Sequence, residues 1–260
     1  MSEVEYEVRG RVASIRLNRP EARNAVSAEV ARGLEAAVDA LEDDPEVWVG
    51  VLSANTEGHT RPVFCAGADL KAIQAGGVES LRTERGGFAG YVFRKRTKPI
   101  VVAVDGLATA GGLEIVLASD VVVASTRSSF GLAEVKRNIV AAAGGLFRLP
   151  RAVGQAVAMD AILTGEPISA ERAFQLGLVS RLVEPDQVLE EAMRAAGQIA
   201  EAAPLAVRAS REVVLAAATE DDPTLERMSA HAIAELLVTE DTVEGLTAFA
   251  EKRAPQWRGR

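Results

Sequence analysis

The sequence IVVAVDGLATAGGLEIVLASDVVV, residues 100–123, predicts a buried strand, a turn, a buried helix and a second buried strand. Its β-branched runs at 100–104 and 121–123 are typical of strands that are covered on both faces of a parallel sheet. Glu114 interrupts this apolar stretch between a leucine and an isoleucine. Burying a carboxylate is unfavourable unless other groups compensate its charge, so Glu114 is a candidate functional residue.

A structural role for Glu114 is the alternative. The residue lies three positions after Gly111, in the first turn of the predicted helix. A capping-box glutamate requires Ser or Thr at that earlier position, which is glycine here. The helix dipole favours an acid in the first turn by only about 0.3–1 kcal/mol at exposed sites. That contribution is too small to compensate burial of the Glu114 carboxylate among apolar neighbours. A functional role for Glu114 is therefore favoured.

The segments that precede this stretch have readable patterns. Residues 4–8 and 11–17 alternate polar and apolar side chains around an Arg-Gly pair, which predicts an opening hairpin. Ser27 precedes apolar positions at helical spacing, which predicts an N-capped amphipathic helix. Residues 47–52 are typical of a short strand, and the polar residues 54–62 of a loop.

From about residue 185 onward, the sequence predicts helices. The helical patterns cover 186–201, 204–218, 223–238 and 240–251, with a proline near the start of several of them. The alternation of strands and helices before residue 185 is typical of βαβ units. We therefore expect an α/β core in residues 1–185 and a helical region in residues 186–260.

Composition limits the classes of partner. The chain has 260 residues and a net charge of -8, which argues against nucleic acid as a partner because phosphate binding needs clustered Lys and Arg. A single cysteine, Cys65, excludes an intrachain disulfide and fits a reducing compartment. The acidic N-terminus lacks the apolar segment of a signal peptide, and no run of 18 apolar residues is free of charge. We expect a cytoplasmic protein with no membrane contact.

Several common catalytic chemistries lack their motifs. The two histidines, His59 in a predicted loop and His231 on a predicted helix, are expected at the surface. With one cysteine, they are too few for a zinc site. The sequence contains neither the nucleophile elbow G-x-S-x-G nor a phosphate-binding P-loop. The acidic pairs at 43–44 and 221–222 fit solvated turns better than a magnesium site.

Two glycine-containing turns remain, FCAGADL at 64–70 and ATAGGLE at 108–114. In each, a predicted strand runs into glycine and then into a helix, whose first N–H groups have no partner within the helix. Glycine lets a ligand approach the backbone closely, and the helix dipole favours negative charge there. Two such N–H groups directed at one point would form an oxyanion hole. Two separate tight turns are the simpler alternative, because the sequence does not show that they meet.

Five segments together resemble the enoyl-CoA hydratase/isomerase family, also called the crotonase family. In chain order they are RPEARNA (19–25), FCAGADL (64–70), IVVAVDGLATAGGLEIVLASD (100–120), SFGLAEVKRNIVAAAGGLFRLPRAVG (129–154) and EGLTAFAEKRAPQWRGR (244–260). The last two segments are most similar to carnitinyl-CoA dehydratase-like members.

The resemblance implies an α/β fold, a spiral of ββα turns that forms two roughly perpendicular sheets surrounded by helices. Residues 1–185 would form the spiral and carry the acyl-CoA site. Residues 186–260 would form a helical region that closes the site and assembles homotrimers, which often pair into hexamers. The implied ligand is an acyl-CoA thioester, and no redox cofactor or metal is implied, because coenzyme A enters as part of the substrate.

The resemblance also implies site residues. The oxyanion donors fall on the N–H groups of Ala68 and Gly111, and the two hydratase glutamates on Glu114 and Glu134. Lys136 follows Glu134 closely, so a solvated helix face is the alternative for Glu134. Contacts with coenzyme A fall on Arg23, Ala25, Ala66, Gly67, Asp69 and Leu70, and on Phe249 and Lys252 of the C-terminal helix, often from a neighbouring subunit.

The implied reaction is hydration of a trans-2-enoyl-CoA, with Glu114 activating water and Glu134 delivering a proton to C2. Dehydration of a 3-hydroxyacyl-CoA such as carnitinyl-CoA, double-bond isomerisation, thioester hydrolysis and acyl-CoA binding without catalysis are the alternatives. Ala110 stands where the family usually has glycine. We expect the oxyanion hole to tolerate this alanine if its φ is negative.

Overall fold

Two β-sheets surrounded by helices form the fold in the computed structural model of the chain, which describes residues 2–58 and 60–260. The prediction for His59 therefore lies outside the described residues. The strands are Val4–Arg9 (β1), Val12–Leu17 (β2), Val49–Ala54 (β3), Val63–Cys65 (β4), Arg82–Thr83 (β5), Gly87–Phe88 (β6), Ile100–Val104 (β7), Leu107–Thr109 (β8), Val121–Ser125 (β9), Ser129–Gly131 (β10), Ile168–Ser169 (β11) and Arg181–Val183 (β12).

The helices cover the sheets and form most of the C-terminal part of the chain. They are Ala28–Asp43 (α1), Leu70–Gly76 (α2), Gly111–Leu117 (α3), Gly145–Val153 (α4), Gln155–Thr164 (α5), Ala170–Gln175 (α6), Val188–Ala200 (α7), Pro204–Ala216 (α8), Asp222–Leu236 (α9) and Glu240–Glu251 (α10). Short 3-10 helices lie at Pro20–Ala22, Val78–Leu81, Glu134–Arg137 and Pro185–Gln187.

The larger sheet has the order β1-β2-β3-β7-β9-β12. β1 and β2 form the predicted antiparallel hairpin, and the other pairs are parallel. All of β7 is buried, as its β-branched run predicts. The strand predicted at 47–52 begins two residues later, because the N–H of Val47 donates to the carbonyl of Asp44 (3.2 Å) in a turn that follows α1.

The smaller sheet, of order β11-β10-β8-β4, positions the candidate site. Its strands β4, β8 and β10 are parallel to one another. Their carboxyl ends therefore meet at one edge of the sheet, where α/β proteins commonly bind ligands. The two glycine turns follow β4 and β8, and Glu134 follows β10.

The first helix confirms its predicted cap. The side-chain oxygen of Ser27 accepts a hydrogen bond from the N–H of Val30 (3.1 Å). This contact satisfies one of the N–H groups that a helix start leaves unpaired. The apolar face of α1, including Leu34 and Leu41, is buried in the main core.

The C-terminal region contains the four predicted helices, α7 to α10. α7 packs on the larger sheet, where Ala192 and Ala196 belong to a second apolar cluster. Arg211 of α8 donates to the carboxylate of Asp120 (2.9 Å), which joins this region to the end of α3. Large apolar side chains of α8 to α10 and of the connection between α9 and α10 are exposed, namely Val214, Leu215, Ile233, Leu237, Val238, Val243, Leu246 and Phe249.

Two smaller predictions concern exposed groups. His231 is exposed on α9, which confirms its predicted surface position. Its imidazole lies 3.2 Å from the carboxylate of Glu235. Asp221 caps the same helix by accepting a hydrogen bond from the N–H of Thr224 (3.0 Å).

Within the described parts of the chain, no helix is both long and apolar enough to span a membrane.

Candidate active site

The two glycine turns are in direct contact. Gly67 has φ +86, and a Cβ placed on it would lie 2.9 Å from the nitrogen of Gly111 and 3.2 Å from the carbonyl oxygen of Thr109. Only glycine fits this approach and this backbone conformation without strain. The alternative of two separate turns is therefore wrong.

Both predicted donor groups have a free N–H. No acceptor among the described residues pairs with the N–H of Ala68 or with that of Gly111. Gly111 is the first residue of α3, where a helix leaves its N–H groups unpaired. Two neighbouring unpaired donors can bind one oxygen atom that carries negative charge.

Ala110 does not have the negative φ on which the expected tolerance of the oxyanion hole depended. Its φ is +52 and its ψ is -128, a conformation that glycine adopts more easily. Such strain costs on the order of 1–3 kcal/mol and persists only where the surroundings hold it. Here the N–H of Ala110 donates to the carbonyl of Gly131 (2.9 Å), and its carbonyl accepts from the N–H of Glu114 (3.1 Å). These two bonds keep the turn in place despite the side chain.

Sequence reasoning missed Phe88, which packs against Gly111. A Cβ on Gly111 would overlap the edge of the Phe88 ring. The ring therefore lies directly on the backbone of the turn and limits its movement. The only signal in the sequence is an aromatic residue inside the glycine-rich stretch 86–90, which matches no phosphate-binding motif.

Glu114 is buried, with 3% of its surface exposed. Its Oε1 accepts hydrogen bonds from the N–H groups of Ala143 (2.7 Å) and Gly145 (2.9 Å) at the start of α4. Burial raises the pKa of Glu114, while these two bonds and the positive charge of Arg148 oppose the increase. The functional interpretation of this residue gains support, because the carboxylate is held at the site by the backbone of another segment.

Glu134 is also buried, with 8% of its surface exposed, so the alternative of a solvated helix face is wrong. It begins a 3-10 helix, whose tight turn directs Glu134 inward while Lys136 points outward to an ion pair with Glu166 (2.7 Å). The buried Oε2 of Glu134 has no hydrogen-bond partner among the described residues. An unpaired buried carboxylate oxygen is rare and marks a group that can contact a ligand.

The two glutamates influence each other. Burial raises the pKa of Glu134 to about 6, and the negative charge of Glu114 adds to the increase. Two carboxylates that share a site repel, which makes the protonated form of one of them more stable. The site therefore offers one carboxylate held by N–H donors and one carboxyl group that binds a proton more readily.

The residues predicted to contact coenzyme A lie on two paired segments. The N–H of Ala66 donates to the carbonyl of Arg23 (3.1 Å), and the N–H of Asp69 donates to that of Val26 (3.0 Å). This pairing places six of the predicted residues beside the contact of the two turns. They are Arg23, Ala25, Ala66, Gly67, Asp69 and Leu70. Arg23 and Leu70 are exposed side chains on this edge.

Asp69 has a structural role that the sequence did not reveal. Its carboxylate accepts hydrogen bonds from Arg19 (2.6 Å) and from the N–H of Lys71 (2.9 Å), and so it caps α2. Despite burial, the ion pair and the cap lower the pKa of Asp69. Its N–H donates to the carbonyl of Val26 (3.0 Å), and its carbonyl accepts from the N–H of Ile73 (3.0 Å). Side chain and backbone are thus both used within the chain, and the contact of Asp69 with coenzyme A stays a prediction.

The C-terminal candidates stand apart from this group. Phe249 is 86% exposed on α10, so its ring makes little contact with its own chain. Lys252 follows the helix with φ +55 and is exposed as well. A single chain therefore does not bring Phe249 against the two glycine turns, and its role stays a prediction about a neighbouring subunit.

Glu134→Gln is expected to raise the free energy of unfolding at about pH 8 by up to about 2 kcal/mol, because a pKa raised from 4.5 to about 6 corresponds to that amount. At a pH below the pKa of this carboxyl group in the unfolded chain, the folded and unfolded chains both bind the proton, and folding buries no charge at Glu134. As the pH rises through about 6, the wild type loses this stability and the glutamine variant does not. Denaturant unfolding at about pH 4 and about pH 8 measures the difference, and an equal difference at both would contradict the prediction.

Comparison with known proteins gives consistent matches over the whole chain. A family model described as Enoyl-CoA hydratase/isomerase matches residues 7–260. An (E)-benzylidenesuccinyl-CoA hydratase from Thauera aromatica is 42% identical over 260 residues, which cover 98% of this chain and 99% of the relative. A carnitinyl-CoA dehydratase from Proteus mirabilis is 36% identical over 257 residues, 97% of each chain. The crystal structure of an enoyl-CoA hydratase from Mycobacterium tuberculosis is 41% identical, with a TM-score of 0.93 over 100% of both chains.

Proposed function

The chain belongs to the enoyl-CoA hydratase/isomerase family, and on that basis we propose that it adds water reversibly, in syn geometry, to a trans-2-enoyl-CoA to give a 3-hydroxyacyl-CoA. One observation carries the proposal: two glycine turns with unpaired N–H groups meet beside two buried carboxylates. Members of the family whose names refer to hydration or dehydration of CoA thioesters are 36–42% identical to this chain.

The first element of the mechanism is stabilisation of an enolate. When water attacks C3, the electrons of the C2=C3 bond move toward the thioester carbonyl, whose oxygen becomes negatively charged. The N–H groups of Ala68 and Gly111 donate hydrogen bonds to this oxygen. One such donor is typically worth about 2.7–4 kcal/mol of activation free energy in other oxyanion holes.

The second element is proton transfer by the two glutamates. Glu114 orients the water and accepts a proton from it as the new C–O bond forms at C3. Glu134 donates its proton to C2, which consumes the enolate. A proton that returns from Glu114 to Glu134 through the next water restores both groups, so the net change is addition of one water and no redox cofactor is needed.

The environments of the glutamates support this division of roles. Two N–H donors on Oε1 favour the ionised form of Glu114, as a base requires. A pKa raised to about 6 keeps a protonated form of Glu134 accessible near neutral pH, as an acid requires. Pairs of carboxyl groups whose surroundings separate their pKa values commonly divide acid and base roles in this way.

Binding of the coenzyme A part completes the site. The edge formed by Arg23, Ala66 and Leu70 would contact the adenine and pantetheine groups, and Asp69 would hold the edge in shape by capping α2. Residues 1–185 would carry this site, and residues 186–260 would assemble homotrimers or pairs of trimers. In such an assembly the exposed Phe249 of α10, with Lys252, would reach the coenzyme A bound to a neighbouring subunit. The single buried cysteine fits a cytoplasmic location.

A panel of CoA thioesters tests the proposal. Purified enzyme is incubated with crotonyl-CoA, carnitinyl-CoA and a saturated acyl-CoA, and the absorbance of the conjugated enoyl thioester is followed. We expect crotonyl-CoA to be hydrated, with its 3-hydroxy product dehydrated in reverse. Turnover of carnitinyl-CoA alone would favour a dehydratase of narrower substrate range. Thioester binding without turnover of any substrate would indicate a non-catalytic acyl-CoA-binding protein and overturn the proposal.

A further inference from the structure

Arg148 of α4 lies between two segments of the candidate site. Its Nη2 donates to the carbonyl of Val92 (2.7 Å), and its Nη1 lies 3.4 Å from the carbonyl oxygen of Ala143. The guanidinium is flanked by the rings of Phe93 (5.3 Å) and Phe147 (5.4 Å), at distances typical of cation–π contacts. The side chain is half-buried, so its position is defined by these contacts.

One of the two segments holds Glu114. The N–H groups of Ala143 and Gly145 bind the carboxylate of Glu114, and Arg148 packs against the residue between them. A Cβ on that residue, Gly144, would lie 2.5 Å from the Nη1 of Arg148. Movement of the guanidinium would therefore displace the turn that fixes the Glu114 carboxylate.

The other segment supports Gly111. Val92 follows the glycine-rich stretch that carries Phe88, and the N–H of Val92 donates to the carbonyl of Phe88 (3.3 Å). The ring of Phe88 packs on Gly111, one of the two proposed oxyanion donors. A single guanidinium thus contacts both the segment that holds the proposed base and the segment that supports a proposed donor.

We propose that Arg148 is a positioning residue, which aligns the Glu114 carboxylate with the Gly111 N–H by joining the Ala143–Gly145 turn to the Phe88–Phe93 segment. The inference deepens the proposed hydratase function and rests on it. Arg148 need not touch the substrate, because both of its hydrogen-bond contacts are with backbone carbonyl groups. An arginine suits this role, since its planar fork can bind two carbonyl groups at once.

The charge of Arg148 adds an effect that a test can isolate. The positive guanidinium favours the ionised form of Glu114 and so opposes the rise in its pKa that burial causes. The other charged or titratable groups near this pair are Glu134, which interacts with Glu114, and Arg96, Arg151 and Tyr91, which act on Arg148. Arg137 acts on Glu134 and not on the pair itself. All of these groups are unchanged when Arg148 alone is replaced, so removal of its charge should raise the pKa of Glu114. Because the proposed mechanism needs Glu114 in its ionised form, a variant without the charge of Arg148 should lose activity at a higher pH than the wild type when the solution is acidified.

Three variants separate charge from geometry. Arg148→Met removes both, Arg148→Lys keeps the charge without the fork, and Arg151→Met is the matched control. Arg151 is exposed one turn along the same helix and contacts the same Phe147 ring (5.5 Å). Crotonyl-CoA hydration is measured as kcat and KM across pH, with thermal unfolding as a check on folding.

We expect Arg148→Met to lower kcat by roughly 10- to 100-fold, since displacing a reacting group by about 1 Å can cost about 10²-fold. KM should change by less than about threefold, because substrate binding is not the lost interaction. The acidic limb of the kcat profile should move to higher pH in Arg148→Met and stay in place in Arg148→Lys and Arg151→Met. An unchanged kcat and limb in Arg148→Met, or an equal shift in Arg148→Lys, would overturn the inference.

A second readout does not depend on turnover. The carboxyl ¹³C resonance of Glu114, assigned with Glu114→Gln, is titrated in the full chain. Its pKa should be higher in Arg148→Met than in the wild type, Arg148→Lys or Arg151→Met, and an unchanged value would overturn the inference even if no thioester is turned over.

An inactive wild type on the thioester panel would contradict the proposed function alone. If Arg148→Met does not fold, Arg148→Lys still tests the inference, because lysine keeps the charge but cannot bind both carbonyl groups at once. A wild-type kcat in Arg148→Lys would show that binding both carbonyl groups does not matter and would overturn the inference.

Discussion

Glu134→Gln is expected to lower kcat for crotonyl-CoA hydration by at least about 10²-fold, the usual size of acid–base catalysis. The amide has nearly the same shape as the carboxyl group but cannot deliver a proton to C2. The replaced Oε2 is buried and pairs with no described residue, so its loss breaks no hydrogen bond within the described chain. Steady-state kinetics at saturating crotonyl-CoA measure the effect.

Affinity for the thioester should stay nearly unchanged in Glu134→Gln, because Glu134 is assigned to the reacting carbon atoms and not to coenzyme A. Calorimetric binding of a saturated acyl-CoA tests this without turnover. Glu166→Gln is a suitable control, since Glu166 is exposed and bonded to Lys136 beside the same 3-10 helix. Near-wild-type hydration by Glu134→Gln would end the assignment of Glu134 as the acid.

Gly67→Ala should lower kcat/KM by about 10²–10³-fold, the cost typical of losing one donor of an oxyanion hole. The new Cβ would lie 2.9 Å from the nitrogen of Gly111 and 3.0 Å from the Cβ of Ala110. The two turns would have to separate, and the N–H groups of Ala68 and Gly111 would no longer point to one oxygen.

Gly177→Ala provides a matched control for this substitution. Gly177 has the same φ of +86, but a Cβ placed there meets nothing within 4 Å. Both variants carry the strain of a left-handed alanine, about 1–2 kcal/mol. Gly67→Ala carries the clash with Gly111 in addition, so it should lose more conformational stability in denaturant unfolding than Gly177→Ala. Only Gly67→Ala should lose activity. Equal activity in the two variants would show that the contact between the turns does not matter for catalysis.

The elements with a clear local pattern were predictable. The hairpin, the Ser27 cap and the four C-terminal helices follow from periodicity and capping, which depend on residues close together in the chain. The start of β3 was misplaced, because the turn after α1 buries Val47 as fully as a strand would. Apolar runs indicate burial but do not mark where strand pairing begins.

The site was predictable only in part. Glu114 was identifiable because a charge in a buried helix contradicts its surroundings. Glu134 was not, since its neighbours Lys136 and Arg137 give it the pattern of an exposed face, and only the resemblance to a family indicated its role. The positive φ of Ala110 was not predictable either, because its N–H donates to the carbonyl of Gly131 in a strand distant in sequence.

The sequence by itself determined the opening hairpin, the capped first helix, the buried strands around Glu114, the C-terminal helices and the acidic charge, because each of these depends on neighbouring residues or on composition. Only the tertiary structure decided that Gly67 meets Gly111, that Phe88 supports that contact, and that Arg148 joins the two segments around Glu114. These residues lie far apart in the chain. Parallel pairing of β4, β8 and β10 brings the turns after them to one edge, and no local pattern encodes that pairing.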